Sequence, residues 1–284
     1  MLNQNILYKY YFCEFNTDLF IFAGFLDKTI KIFWENNEIT YLLDSYITAI
    51  IKIKDYGGQF VTGHHDGFLT KWRINITNYT YNANKGHSKN SSNNQSEIVL
   101  EKLFSMKSNK SCITCLYFHY KLNIILSSDN NTIIIRNYYN FEFLSLIRLN
   151  QNNNLINKII DIKISNYNFI YILIEQKENK LHELLCYTLN GTFANKIKGN
   201  FTEFGLTNSG NVIIPDLNNR LLKVLRPYDL FLINSNSYPF TSSNKNPFHI
   251  FYENPNTIYL SIEENDTTTI KKLQINKSKE IYFI

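Results

Sequence analysis

His64-His65-Asp66 is the run of side chains in this sequence with the greatest capacity for chemistry. Two imidazoles and a carboxylate can ligate a metal or relay a proton. Neighbouring residues of an extended strand point to opposite faces, so His64 and His65 share one ion only where a turn reorients them. Cys112-x-x-Cys115, with His119 beyond it, has half of a zinc-site spacing. No second Cys pair answers it, and "SCITCLYFH" reads as a strand, in which i and i+3 face opposite ways. Buried structural thiols and a strand-end histidine are the expectation there. Glu263, Glu264 and Asp266 fall in an expected hairpin loop as solvated charge, and Glu14, Asp18, Asp44 and Asp55 are scattered at strand ends. The sequence has no Gly-x-Ser-x-Gly elbow, Walker loop or dinucleotide-binding glycine signature. With ten glycines in the whole chain, loops able to cradle phosphate are scarce. The reading therefore assigns no catalytic, cofactor-binding or metal-binding residue, expects no cofactor and no enzyme, and names no binding residue.

The elements around these residues explain why. "GFLDKTIKIF" starts at Gly24 and "GHHDGFLTKW" at Gly63. Gly24 and Gly63, Asp27 and Asp66, and Phe33 and Trp72 are all 39 residues apart (63 − 24 = 66 − 27 = 72 − 33 = 39). Asp27 has no histidine beside it, so Asp66 is expected to steady a turn by accepting backbone N–H bonds. Each glycine is expected to end a strand where a side chain would obstruct close approach. Ile30 and Leu69 are expected in the core between sheets, with Phe33 and Trp72 over its outer part. The match is imperfect, since Ile32 corresponds to Lys71. A third copy, "SSDNNTIIIRNY", has Ser128 for the glycine and Asn131 for the aspartate.

Strand signals continue along the chain: short runs rich in Ile, Tyr, Phe, Leu and Val, bounded by Asn, Asp, Gly and Ser, without a sustained helical period. They fall into sets of four in about 40 residues, the period of a WD-type propeller blade. "ILYKYYFCEF", "LFIFAGF", "TIKIFW" and "ITYLLDS" open the series. "FHIFYE", "TIYLSIEE" and "TTIKKLQI" begin a sixth set, with "EIYFI" as its outer strand. The fold class expected is all-β, a WD-repeat-like β-propeller with six recognisable blades, either closed or an incomplete seven-bladed ring, in one domain over residues 1–284. Residues 78–96, polar and of low complexity, are expected to be a disordered surface loop.

Composition agrees with a folded, non-nucleic-acid-binding chain. The 284 residues are 44% hydrophobic and 15% aromatic, enough for a substantial core. The net charge of +5 is spread along the chain. Lys271, Lys272, Lys277 and Lys279 make its nearest approach to a basic cluster, read as a solvated face. The N-terminus lacks a signal peptide's basic start and apolar run, and the longest apolar run, Leu19 to Leu26, is far below the ~20 residues of a membrane span. A reducing cytosol is the expected setting for Cys13, Cys112, Cys115 and Cys186. Asn-x-Ser/Thr triplets such as Asn75-Ile76-Thr77 and Asn190-Gly191-Thr192 read as chance matches in an Asn-rich chain.

The serial order of these motifs resembles the C-terminal WD-repeat propeller of BEACH-domain proteins of the neurobeachin/LYST/LvsA type. The resemblance is carried by "FIFAGFLDKTIKIF" from Phe20, "FVTGHHDGFLTKW" from Phe60, "ITCLYFHYKLNIILSSDNNTIIIRNYYNFEFLSLIRL" over 113–149, Leu189-Asn190-Gly191, and "FTEFGLTNSGNVIIPDLNNRLLKVLRPYDL". It covers roughly residues 19–232. The chain departs from the pattern in having no Trp-Asp at a blade end and no Gly-His before an inner strand, which puts the hydrogen-bond network of ideal WD repeats in doubt. The family's earliest blade and its BEACH and PH-like domains have no counterpart in the sequence. A truncated product, a blade supplied by a partner, and a closed six-blade ring are the expectations, in that order.

The resemblance implies a non-catalytic protein-interaction scaffold acting in vesicle and membrane trafficking. Its partners would be other proteins, including an upstream BEACH domain of the same product, with no nucleic acid. Its location would be cytoplasmic, with at most peripheral contact with endomembranes. The alternatives are an unrelated WD-repeat adaptor subunit or a phosphoinositide-binding propeller of the autophagy type. The latter carries an aromatic-Arg-Arg-Gly signature, and this chain has no Arg-Arg pair. A propeller hydrolase or lectin would need convergent carboxylates or a metal.

Overall fold

The computed structural model describes residues 10–16, 19–24, 28–34, 37–53, 58–80, 94–149, 156–176, 181–207, 209–216, 219, 221–237, 248–254, 257–264, 267–275 and 281–283. Side chains are described at 21, 28–33, 38–53, 58–75, 98–149, 158–176, 181–207, 209–216, 219 and 221–235. Among these residues there is no helix, and the strands form six four-stranded sheets, each paired in chain order.

The first sheet is β1 (Tyr10–Asn16), β2 (Leu19–Gly24), β3 (Thr29–Trp34) and β4 (Asn37–Leu42). The second is β5 (Ile47–Lys52), β6 (Gln59–His64), β7 (Phe68–Thr80) and β8 (Asn94–Lys107). The third is β9 (Cys115–His119), β10 (Ile124–Ser128), β11 (Thr132–Asn137) and β12 (Phe143–Arg148). The fourth is β13 (Ile156–Ile164), β14 (Phe169–Gln176), β15 (His182–Thr188) and β16 (Phe193–Gly199). The fifth is β17 (Gly205–Leu206), β18 (Val212–Asp216), β19 (Leu221–Leu225) and β20 (Leu232–Ser237). The sixth is β21 (Phe248–Asn254), β22 (Thr257–Glu264), β23 (Thr267–Ile275) and β24 (Ile281–Phe283). The last strand pairs with β23 through Leu273↔Phe283, so "EIYFI" does supply the sixth sheet's outer strand.

The chain divides into two compact units, residues 1–129 with 137–142, and residues 130–136 with 143–284. In the first unit, β1, β5 and β9 run beside one another, so the first strand of each set is the inner one. Period-2 alternation then gives each sheet two apolar faces. Ile21, Ile30 and Ile32 of the first sheet meet Phe60, Trp72, Ile74 and Ile98 of the second. Val61 and Leu69, from the second sheet's other face, meet Ile113, Phe118 and Ile125. Each fully buried aliphatic side chain contributes about 1.5–3 kcal/mol relative to exposure. In the second unit the same device joins Tyr171, Leu173 and Leu184 to Val212, Ile214 and Leu225. There Tyr171 Oη donates to the Pro227 carbonyl, which also accepts from Cys186 Sγ at 3.6 Å.

Three expectations change. The 39-residue interval holds on the third strands but becomes 40 on the second, because Ile30 lies opposite Ala23 whereas Leu69 lies opposite Gly63. Gly24 thus ends β2 as expected, whereas Gly63 is the last but one residue of β6, one register step earlier, and His64 ends that strand. The link between paired residues is one residue shorter in the second hairpin (24–29 against 64–68). The expected loop over 78–96 is narrower at both ends, since Asn78↔Ser96, Tyr79↔Gln95 and Thr80↔Asn94 extend the β7–β8 ladder. Backbone pairing is indifferent to the low complexity that suggested a loop; residues 81–93 lie outside the described ones. Finally, the strand read across "SCITCLYFH" begins only at Cys115.

Candidate functional site

Strand alternation places Phe60, Thr62 and His64 on one face of β6. Across the ladder, Thr62 lies opposite Thr70 and Phe60 opposite Trp72, so Trp72 is the diagonal neighbour of Thr62. Trp72 Nε1 donates to Thr62 Oγ1 at 2.8 Å, and the same oxygen lies 2.8 Å from His64 Nε2. Thr62 Oγ1 also reaches the Thr70 carbonyl at 3.4 Å. One buried hydroxyl thereby joins an indole and an imidazole. The sequence put such a network in doubt, because the histidine expected before an inner strand is missing. The correction is that His64, on the second strand itself, takes that place.

The turn that follows fixes His64. Asp66 Oδ1 accepts the Phe68 N–H at 3.3 Å, the turn role expected of it. Gly67, at φ +84°, donates its N–H to the His64 carbonyl at 3.1 Å. A Cβ at Gly67 would lie 2.3 Å from the Asn109 carbonyl oxygen in a conformation L side chains rarely adopt. Gly63 is the close approach that the sequence anticipates: a Cβ there would lie 2.5 Å from Ile113 Cγ2.

This face of the second sheet, together with Leu42–Ser45 at the end of β4, encloses a cleft of about 340 Å³. Trp72 and His64 line its floor, with Thr70 and Ser105 beside them; their hydroxyls are 2.9 Å apart. Asp44, Asp66 and Lys102 supply its charges, and Leu42, 81% exposed, stands at its mouth. Tyr41 ties the two sheets next to the cleft: its hydroxyl accepts the Leu100 N–H at 3.0 Å and donates to the Ile98 carbonyl at 3.3 Å. Burial pushes the His64 pKa below its ordinary value; Asp66 opposes the shift and Lys102 adds to it. His64 Nδ1 is buried and has no hydrogen-bond partner; the Ser45 carbonyl acts on the ring but outside hydrogen-bonding geometry.

The other residues singled out by sequence do not converge. His64 is buried and His65 exposed, with His65 edge-on to Tyr46 at 6.4 Å. Cys112 is half-buried, Cys115 and Cys186 are buried, and none of the three is in a disulfide. His119 ends β9, where its Nδ1 accepts the Leu122 N–H at 3.3 Å. Lys71, the mismatch to Ile32, lays its ammonium 3.9 Å from the Tyr138 ring centroid on the opposite face of the sheet. Asp27, Asp55 and Asp266 lie outside the described residues, as do the side chains of Cys13, Glu14, Glu263, Glu264, Lys271 and Lys272. Among the described residues, no three His, Cys, Asp or Glu side chains are placed to hold a metal ion, and no helix is long and apolar enough to cross a membrane. Sequence reading missed Thr62, Lys102, Ser105 and Leu42. The i, i+2 spacing of Thr62 and His64, with Trp72 across the hairpin, was the one available signal.

No family model matches the sequence, and no curated protein does. Solved structures do. A functionally unknown protein from Desulfotomaculum acetoxidans is 12% identical, with 94% of this chain and 79% of that one covered and a TM-score of 0.62. The C-terminal WD40 domain of Sif2 is 10% identical, with 94% and 68% covered and a TM-score of 0.59. Hsv2 of Kluyvelomyces marxianus is 7% identical, with 96% and 81% covered and a TM-score of 0.56. At these identities the likeness speaks for the fold alone, and with the six four-stranded sheets it makes this chain an all-β, WD-repeat-type β-propeller.

Proposed function

We propose that the chain is a non-catalytic protein-interaction scaffold, one domain over residues 1–284, that docks partners at the cleft between its first two sheets. The observation that carries this reading is how the cleft's groups are used. Its imidazole and indole are both committed to the Thr62 hydroxyl, and its Thr70 and Ser105 hydroxyls to each other. The Thr62 hydroxyl beside the imidazole is fully buried and does not line the cleft, so it is not presented to a ligand, and the groups fixed in this way line a rigid receptor. The charged residues and Leu42 around the mouth provide the polar rim and apolar anchor of a docking site. The resemblance of residues 19–232 to BEACH-type propellers supports a setting in vesicle and membrane trafficking. In that setting the chain is cytoplasmic and peripheral to endomembranes, and its partners are other proteins, among them an upstream BEACH domain of the same product.

Quantitative affinity capture tests the reading. The full chain is compared with Ser105→Phe, which fills the cleft, and with Tyr228→Asp, an exposed position in the second unit. Proteins lost with the first variant and kept with the second are the expected result. An identical set with both variants would overturn the reading.

A further inference from the structure

The tip of the β15–β16 hairpin places a side-chain amide next to a backbone amide with which it can react. Asn190-Gly191 is the one Asn-Gly step in the sequence. A cyclic imide forms when the main-chain nitrogen after an asparagine attacks that asparagine's Cγ, and glycine has no Cβ to crowd the nitrogen. Asn190 is exposed, and Gly191 occupies the turn at φ +86°. A Cβ on Gly191 would meet Ile147 Cγ1 and the Leu146 carbonyl oxygen, both only at 3.6 Å, so a ring has room to close there. The corresponding acidic step, Asp66-Gly67, is shut in by comparison: a Cβ on Gly67 would lie 2.3 Å from the Asn109 carbonyl oxygen.

The turn also activates the group that would be attacked. Asn190 Oδ1 accepts from the Thr188 hydroxyl and, at 3.3 Å, from the Thr192 hydroxyl. Donors on this oxygen draw electron density from Cγ and stabilise the oxyanion that forms as the nitrogen adds. Thr188 Oγ1 is itself held by the Thr192 N–H at 3.1 Å, so the main chain sets its place. The restraint on the reaction is the Gly191 N–H, which donates to the Thr188 carbonyl at 3.0 Å. That bond closes an exposed turn, and such tips open locally at low cost.

We infer that Asn190-Gly191 is a self-modifying site, which converts to aspartate and isoaspartate in the folded protein with the Thr188 and Thr192 hydroxyls assisting. Hydroxide removes the Gly191 amide proton and the nitrogen adds to Asn190 Cγ. The Cγ–Nδ2 bond then breaks, and the leaving nitrogen takes a proton from water to depart as ammonia, which regenerates hydroxide. Water opens the imide at either carbonyl, so the sum is one water consumed and one ammonia released. One opening leaves an aspartate whose carboxylate still accepts from both threonine hydroxyls. The other routes the main chain through the former side chain and adds a methylene between positions 190 and 191. That product disturbs the turn, where Thr188 N–H donates to the Thr192 carbonyl at 2.9 Å beside the Gly191 bond. Each product adds a negative charge to the hairpin tip.

The test is incubation of the full-length chain at mildly alkaline pH, folded and in concentrated urea. Peptide mass spectrometry locates each converted asparagine, and enzymatic methyl labelling scores isoaspartate. In the folded chain Asn190 should convert ahead of every other asparagine, about tenfold faster per pH unit, because the step needs the amide anion. Thr192→Val, at an exposed position, should slow it about threefold or more through loss of one oxyanion donor, with circular dichroism verifying the fold. In urea the parent and Thr192→Val should convert at the same rate, and Asn190→Gln should remove the isoaspartate signal from this hairpin. An Asn190 that stays intact in the folded chain while converting in urea would overturn the inference, since the turn would then protect it. Equal rates for the folded parent and folded Thr192→Val would overturn the hydroxyls' part in it.

Discussion

Gly63→Ala probes the contact that sets the second sheet against its neighbour. Gly63 is fully enclosed, and its φ lies outside the left-handed region, so alanine meets no backbone strain there. The obstacle is Ile113: the new methyl would lie 2.5 Å from its Cγ2 and 3.0 Å from its Cβ. Ile113 cannot simply withdraw, because its own N–H is bonded to the His64 carbonyl at 3.1 Å and its side chain is packed among Val61, Leu69 and Phe118. Overpacking of this kind costs about 1–3 kcal/mol. Restricting the unfolded chain by Gly→Ala returns about 0.4–1 kcal/mol. The net expectation is a loss of about 1–2 kcal/mol in urea denaturation. Ile113→Ala alone should cost about 2–5 kcal/mol through the cavity it leaves. Since that change removes the obstructing methyl, the double variant should lose less than the sum of the two by about 1 kcal/mol or more. A Gly63→Ala protein as stable as the parent, or strictly additive effects, would refute the packing of these two sheets as described.

The hydroxyl at the centre of the network gives a second prediction. Thr62→Val strands the buried Trp72 N–H and the His64 Nε2, and should cost about 2–4 kcal/mol by thermal or chemical denaturation, whereas Thr62→Ser should keep most of that stability. A third concerns acid. Burial depresses the pKa of His64, His119 and His182 below the unfolded value, so as pH falls below about 6.5 the unfolded chain takes up protons first. Stability from these histidines is therefore full above that pH and declines as pH falls through the folded pKa values; melting temperatures across this range should drop less steeply in His64→Gln than in the parent. A fourth concerns thiols. The Cys186 thiol is fully buried and pushed up to about 12, so native labelling at mildly alkaline pH, read by mass spectrometry, should spare it while the half-buried Cys112 reacts.

The sheets were legible because the chain writes them locally. Apolar alternation between Asn, Asp and Gly turns marks "TIKIFW" or "TIIIRNYY" as a strand without any tertiary information, and the recurrence of four such runs implies the repeated unit. Register was not legible to the same degree. The step between Ala23 and Gly63 depends on how many residues the turn absorbs, and both 39 and 40 leave the alternation intact on each strand separately. The β7–β8 extension was missed because Asn78–Thr80 pairs through its backbone, while composition reports only side chains. The cleft was hidden for a different reason: Leu42–Ser45 and Lys102–Ser105 are some 60 residues apart (105 − 45 = 60) and meet only because sheets stack. His64 was weighed as a metal ligand beside His65. Its partner proved to be Thr62, two residues back on the same face.

The claim that partners dock at the seam of the first two sheets is tested most directly by photo-crosslinking in cells. A photoreactive residue in place of Leu42 stands at the mouth of the cleft, and one in place of Tyr167 occupies an exposed position in the second unit. Discrete protein adducts formed from position 42, absent from position 167 and abolished by Ser105→Phe, are the result expected. Adducts that are the same at both positions, or that persist when the cleft is filled, would contradict the claim.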